Sequence, residues 1–202
     1  MTRGTVREPF RKDLSHLAWT EVYARQEKRA HLVPAWMDVL QLKPGDHVLE
    51  IGAGPGFVTL MLAERVGREG LVYAVDISAE ALDHLKRLQE ERGLAQIQRV
   101  AADAATLEPA GIAAKAALVS MVLHHVGDPA ALLRNLARLL RPGGVALVAE
   151  FHPDAPADHG PPPEHRIDPD RIRQWGEQAG FALLEYRRQT DAHYMMLLRR
   201  RS

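Results

Sequence analysis

Glu50, Gly52, Gly54, Gly56 and Asp76 are spaced so that together they could cradle a nucleoside. The run Val48-Leu49-Glu50-Ile51-Gly52-Ala53-Gly54-Pro55-Gly56 carries an apolar strand into three alternating glycines. Twenty residues beyond Gly56, Val72-Tyr73-Ala74-Val75-Asp76 is a second apolar strand that ends in an acid. A strand, a glycine turn, a helix and a second strand closed by a carboxylate is the unit in which α/β domains hold a ribose. The details separate two kinds of ligand. In a dinucleotide fingerprint the third glycine falls three residues after the second, leaving helix amides open to a pyrophosphate. Here that position is Phe57, and the third glycine comes early, at Gly56. Glu50, at the end of the first strand, would repel a diphosphate and attract an ammonium group. The combination suits a cationic, phosphate-free nucleoside and counts against a nicotinamide-dependent dehydrogenase.

S-adenosylmethionine is such a molecule, and the run resembles motif I of the class I S-adenosylmethionine-dependent methyltransferases. The resemblance extends over about residues 34 to 199: Lys43-Pro44-Gly45-Asp46 is similar to the family's turn into its first strand, and Leu140-Arg141-Pro142-Gly143-Gly144 to the turn before its fifth. It implies S-adenosylmethionine as cofactor. It also implies that Gly52, Gly54 and Gly56 let the backbone approach the methionine part and the ribose, that Glu50 holds the methionine amino end directly or through the turn, and that Asp76 accepts hydrogen bonds from the ribose hydroxyls. Asp103, in Val100-Ala101-Ala102-Asp103-Ala104, matches the acid that commonly receives the adenine amino group; without the family context a helix N-cap or turn acid serves equally well. Ala53, Ile77, Ala104 and Ser120 are expected to line the same cofactor. The matching motifs lie on the cofactor side, and the acceptor is far less marked.

Composition bounds the rest. At 202 residues the chain can bury one good core but hardly two full ones. There are no cysteines, which excludes a disulfide framework, a thiolate metal site and methyl transfer through a cysteine adduct. Lys plus Arg and Asp plus Glu are balanced at 26 each, so no net charge draws the chain to nucleic acid or an anionic membrane. No apolar run approaches the roughly 20 residues that span a bilayer, and the N-terminus lacks a signal-peptide core; a cytoplasmic location is expected.

The elements that must position these residues alternate. Leu14, Leu17, Ala18 and Val22 predict an amphipathic helix from about Asp13 to Lys28. Residues 1–30 are then an N-terminal arm or lid over the cleft, or a helix docked on the back of the sheet, and 31–202 are the cofactor-binding domain. A second helix is expected near 34–42. Strands are expected near 47–51, 71–75, 97–101, 116–121 and 144–150, with helices near 56–66, 78–92, 129–140 and 168–179. The last two strands, 181–188 and 192–199, have no helix between them and read as a hairpin. The expected fold is α/β: a Rossmann-like, doubly wound, seven-stranded sheet, mostly parallel, with one antiparallel strand from that C-terminal hairpin.

Acceptor chemistry is sought after the fourth strand. Amino-directed relatives carry Asn or Asp followed by Pro-Pro and an aromatic there; this chain has Ser120-Met121-Val122-Leu123-His124-His125-Val126. The sequence resembles small-molecule methyltransferases, including those of quinone biosynthesis, so a small-molecule acceptor is expected. His125 is the candidate base or acceptor-binding residue, against the reading that both histidines only cap the strand end. His152 opens the Pro- and His-rich stretch 151–166 at the end of the fifth strand and is the second candidate, shaping the pocket with Glu150. Glu164-His165-Arg166 anchors that loop or binds an acidic group. The collection His124, His125, Glu150, His152, His159 and His165 invites a metal, but it has no fixed ligand spacing and no metal is assigned. Arg199-Arg200-Arg201 lacks interleaved aromatics and reads as a solvated strand end rather than an RNA site. Competing readings are a tRNA or protein acceptor and a non-catalytic cofactor-binding module. A homodimer is compatible with the sequence.

Overall fold

The computed structural model describes residues 18–156, 158 and 160–201. The expected helix from Asp13 falls partly outside this range; within it, α1 is Trp19–Glu27. Then come a short 3₁₀ turn, Ala30–Leu32, and α2 (Val33–Val39). The alternation proper follows: β1 (His47–Ile51), α3 (Phe57–Val66), β2 (Leu71–Asp76), α4 (Ala79–Arg92), β3 (Ile97–Ala101), β4 (Ala114–Ser120), α5 (Pro129–Leu139), β5 (Leu140–Phe151), α6 (Pro169–Gln178), β6 (Phe181–Arg188) and β7 (His193–Arg200).

Local chemistry sets the helix ends. Ser78 Oγ accepts the Ala81 amide at 3.1 Å to start α4, and Gly93, left-handed at φ 64°, ends it. Asp128 and Asp168 cap α5 and α6 in the same way, each followed by a proline at the first helical position, where the missing amide costs nothing.

The seven strands form one sheet in the order β3-β2-β1-β4-β5-β7-β6. All neighbours are parallel except at β7, which runs antiparallel to both β5 and β6. One antiparallel strand supplied by a C-terminal hairpin is therefore what the structure has. Alternate strand residues feed two cores. Val48, Ala74, Leu118 and Leu147 pack under α2, α3 and α4; Leu49, Val75, Val119 and Val148 pack under α5 and α6. Both faces of the sheet are thus covered, as its near-continuous apolar strands require.

Strand order reverses between β1 and β4, so the carboxyl ends of these two strands open the crevice where such sheets bind ligands. Two boundaries differ from expectation at the opposite end. β4 begins at Ala114 and β5 at Leu140, because Leu140 pairs with Ala114 ahead of a bulge that lies before Ala116. The stretch 151–166 also contains a 3₁₀ turn, Pro163–His165. Among the described residues no helix is long and apolar enough to cross a membrane.

Candidate active site

The glycine turn after β1 is built by β2. Gly52 and Ala53 both donate to Val75 O, at 2.8 and 3.1 Å, and Gly54 N–H donates to Asp76 Oδ2 at 2.8 Å. The other Asp76 oxygen accepts the Ser78 amide at 2.9 Å. A carboxylate has about four lone-pair sites, so Asp76 braces the turn and keeps acceptor capacity. Burial lifts its carboxyl above the usual aspartate range, against the pull of the Ser78, Gly54 and Ile77 amides. Two of the glycines are demanded by the protein's own packing. A Cβ on Gly52 would lie 2.3 Å from Val122 Cγ2, and one on Gly56 would lie 2.4 Å from Leu85 Cδ1, both at left-handed φ. Internal close packing thus requires glycine at these two positions whether or not a ligand approaches the turn.

Glu50 points under the turn. It is 2% exposed, its Oε2 accepts the Thr59 hydroxyl at 2.5 Å, and burial pushes its carboxyl up to about 8. It lines a recess with Gln26, Arg29, Val33, Trp36, Gly52, Val58 and Ser120. Burial lowers the Arg29 pKa, while the Glu150 charge works the other way. The sequence placed Glu50 and Ser120 here. It missed Thr59, Arg29 and Gln26, which reach the site only through tertiary packing.

Gln26 sits on the glycine turn itself: its Oε1 accepts the Phe57 amide at 3.4 Å, and its Nε2 is 3.0 Å from where a Gly54 Cβ would be. Tyr23 packs edge-on against Phe57, with ring centroids 5.4 Å apart. In this structure α1 therefore lies against the start of α3, over the turn.

Toward β3 the crevice offers Ile77, 79% exposed directly after Asp76. Asp103 is exposed and accepts the Ala105 amide at 2.8 Å, a turn-acid contact that leaves its second oxygen available. Ala104 is buried, and its carbonyl accepts from Asn135 Nδ2 at 2.9 Å.

At the end of β4 the chain turns sharply. Met121 is left-handed at φ 57°, a conformation that costs a non-glycine residue of order 1–3 kcal/mol and clusters at functional sites. A 3₁₀ turn, Leu123–His125, follows. Glu150, 1% exposed on β5, accepts the Leu123 amide at 2.7 Å and contacts His124 Nδ1 at 2.6 Å. The carboxylate thus meets His124 rather than the singled-out His125, whose ring lies tilted against His124 with centroids 4.0 Å apart. His152 is half-buried, and its Nδ1 accepts the Asp154 amide at 3.1 Å, so that nitrogen is turned into its own loop. Arg166 is buried and donates to the carbonyls of Pro161, Pro153, Pro156 and Ala155, the loop-anchoring role expected of it. His159 lies outside the described residues. Among the described residues no three His, Asp or Glu side chains are grouped as a metal site.

At these strand ends Glu50 and Asp76 offer carboxyl groups, Arg29 a guanidinium and Ile77 an exposed apolar face. Residues 48–144 match the family model described as a methyltransferase domain. The ubiquinone/menaquinone biosynthesis C-methyltransferase of Xanthomonas campestris is 38% identical over 112 residues, 55% of this chain and 44% of that protein. The 2-phytyl-1,4-naphtoquinone methyltransferase of Trichormus variabilis is 37% identical over 111 residues, 54% and 48% respectively. The match thus spans less than half the length of these relatives. Among solved structures, a SAM-dependent methyltransferase from Aquifex aeolicus superposes with a TM-score of 0.77 at 21% identity, covering 83% of this chain and 88% of that one. The [4+2]-cyclase SpnF superposes at 0.74 and 18% identity, covering 85% and 80%, so likeness at this level shows the fold alone.

Proposed function

We propose that this chain, which belongs to the class I S-adenosylmethionine-dependent methyltransferases, methylates a small aromatic acceptor of the phenol or hydroquinone kind. The observation that carries the reading is the recess at the ends of β1 and β4, where buried Glu50 and half-buried Arg29 lie beside the glycine turn that Asp76 braces. Glu50 and Arg29 would hold the methionine end, Asp76 the ribose, and Ile77, Asp103 and Ala104 the adenine. Gly52, Ala53, Gly54, Gly56 and Ser120 would form the walls. When bound, the cofactor supplies an electrophilic methyl on a sulfonium and a neutral leaving group. The protein's contribution is then chiefly alignment of an in-line displacement, worth up to about 7–11 kcal/mol in well-oriented systems. Residues 18–30 would act as a lid, and His125 and His152 would contact the acceptor from the ends of β4 and β5. The relatives named for quinone biosynthesis support an aromatic acceptor, and the balanced charge gives no support to tRNA.

The test is release of S-adenosylhomocysteine from S-adenosylmethionine with a panel of phenols and naphthohydroquinones, beside tRNA and a protein mixture. Turnover with the aromatic panel alone is expected. Turnover with tRNA or protein alone would overturn the acceptor class.

A further inference from the structure

Two buried carboxyls flank the crevice, and they are treated differently. Among the described residues Glu50 hydrogen-bonds a neutral hydroxyl, that of Thr59, and burial keeps it mostly protonated at neutral pH. Burial also pushes Glu150 up, but the His124 charge and hydrogen bond, the Leu123 amide and the His125 charge outweigh it and hold Glu150 below the usual range. Glu150 is thus an ionised acid on an imidazole. Its contact is with Nδ1 of His124, which leaves Nε2 as the ring nitrogen that this contact does not engage.

We infer that His124, oriented by Glu150, is the residue that takes the proton from the methyl acceptor, with Glu150 as its positioning residue. The inference rests on the methyl-transfer reading above. A carboxylate on Nδ1–H places the ring lone pair on Nε2, fixes the ring's rotation and stabilises the imidazolium that forms. The step balances. The Nε2 lone pair takes the acceptor's proton, the former X–H pair becomes the X–CH3 bond, and the carbon–sulfur pair stays on sulfur. The single positive charge that began on the sulfonium ends on the imidazolium beside Glu150. An acceptor is implied whose reacting atom bears an acidic proton or is conjugated to one, as in phenols and hydroquinones.

The surroundings suit this role. His125 lies tilted against His124 from the same turn, Phe151 of β5 meets His124 edge-on at 5.8 Å, and the ring of His193 on β7 is 4.8 Å from that of Phe151. Arg29, between α1 and α2, and Tyr194 of β7 both feel the Glu150 charge. The strained Met121 immediately precedes this turn and is tied to β5 through Ala149 O at 2.8 Å, which sets the register of the histidines against Glu150.

The test combines three readouts on the wild type, Glu150→Gln and His124→Gln. Nitrogen-15 histidine spectra of the cofactor-free protein, assigned by loss of the His124 signal, read the tautomer. Calorimetry reads S-adenosylmethionine affinity. The pH dependence of methyl transfer to 1,4-naphthohydroquinone and simple phenols reads the chemistry. The expected result is an Nδ1–H, Nε2-lone-pair ring in the wild type that Glu150→Gln converts to the other tautomer or a mixture. Turnover should fall about 10²–10⁴-fold in His124→Gln, with cofactor affinity changed less than about threefold. In Glu150→Gln it should fall at least about tenfold, with a displaced acidic limb of the pH profile. Turnover retained in His124→Gln, or an unchanged tautomer in Glu150→Gln, would overturn the inference while leaving methyl transfer standing. A wild type that binds the cofactor but methylates none of these aromatics would overturn the base role. Failure to bind S-adenosylmethionine at all would instead remove the methyl-transfer reading and this inference with it.

Discussion

Glu50 closes β1 with its carboxyl on the Thr59 hydroxyl, and its ionisation is tied to two equilibria. Its folded value of about 8 lies above the ordinary 4.5, so across that interval the folded state binds more protons than the unfolded one. This contribution is fully present below about 4.5 and is lost as pH rises through about 8; Glu50→Gln should flatten stability against pH in that window and raise it near pH 8. A cation beside Glu50 favours the ionised form. Cofactor binding at pH 7 should therefore release a fraction of a proton, up to one, read by calorimetry in buffers of differing ionisation enthalpy, and Glu50→Gln should abolish the release. Equal proton release in wild type and Glu50→Gln would contradict the placement of the methionine amino end. Glu50 and Asp76 were legible in the sequence because each ends an apolar strand beside a glycine turn. Thr59, Gln26 and Arg29 carry no such signal, since only packing of α1 and α3 onto β1 brings them there. The choice between His124 and His125 was equally hidden: both follow β4, and only the register of β5, which sets Glu150 against the turn, distinguishes them.

At the scale of elements, period and caps made the alternating strands and helices legible to within a few residues. Ser78, Gly93 and the Asp-Pro pairs at 128–129 and 168–169 mark ends through local hydrogen bonds that a sequence displays directly. The extra length of β4 and β5 was not legible, because the Leu140–Ala114 pairing passes through a bulge and a proline-glycine turn. Nor was the position of α1, whose faces are only weakly distinguished and which holds no fully buried side chain. Such an element lies at the low-stability end of the molecule. Since Gln26 lies against the glycine turn and takes the Phe57 amide, α1 must shift for a ligand to reach that amide. Hydrogen exchange in residues 19–27 is therefore expected to be fast without cofactor and to slow at least about tenfold when S-adenosylmethionine is present. Identical exchange in both states would mean that α1 is no lid.

For the molecule as a whole, the order β3-β2-β1-β4-β5-β7-β6 converts a linear pattern into a site. It sets the glycine turn of β1 beside the strained end of β4, with β2 contributing the ribose-type acid and β5 the second buried carboxylate. The proposed cofactor side lies in contiguous motifs, which a chain displays directly. The proposed acceptor side would be assembled from the ends of β4 and β5 and the loop clamped by Arg166, which no contiguous motif records. The central claim is that this crevice takes a sulfonium nucleoside and rejects a dinucleotide, and the most direct test is calorimetric titration of the purified protein with S-adenosylmethionine and, in parallel, NADH. The account predicts saturable one-to-one binding of S-adenosylmethionine, weakened at least about tenfold by Asp76→Ala through loss of a charged acceptor, and no heat from NADH. Binding of NADH, or no binding of S-adenosylmethionine, would contradict it.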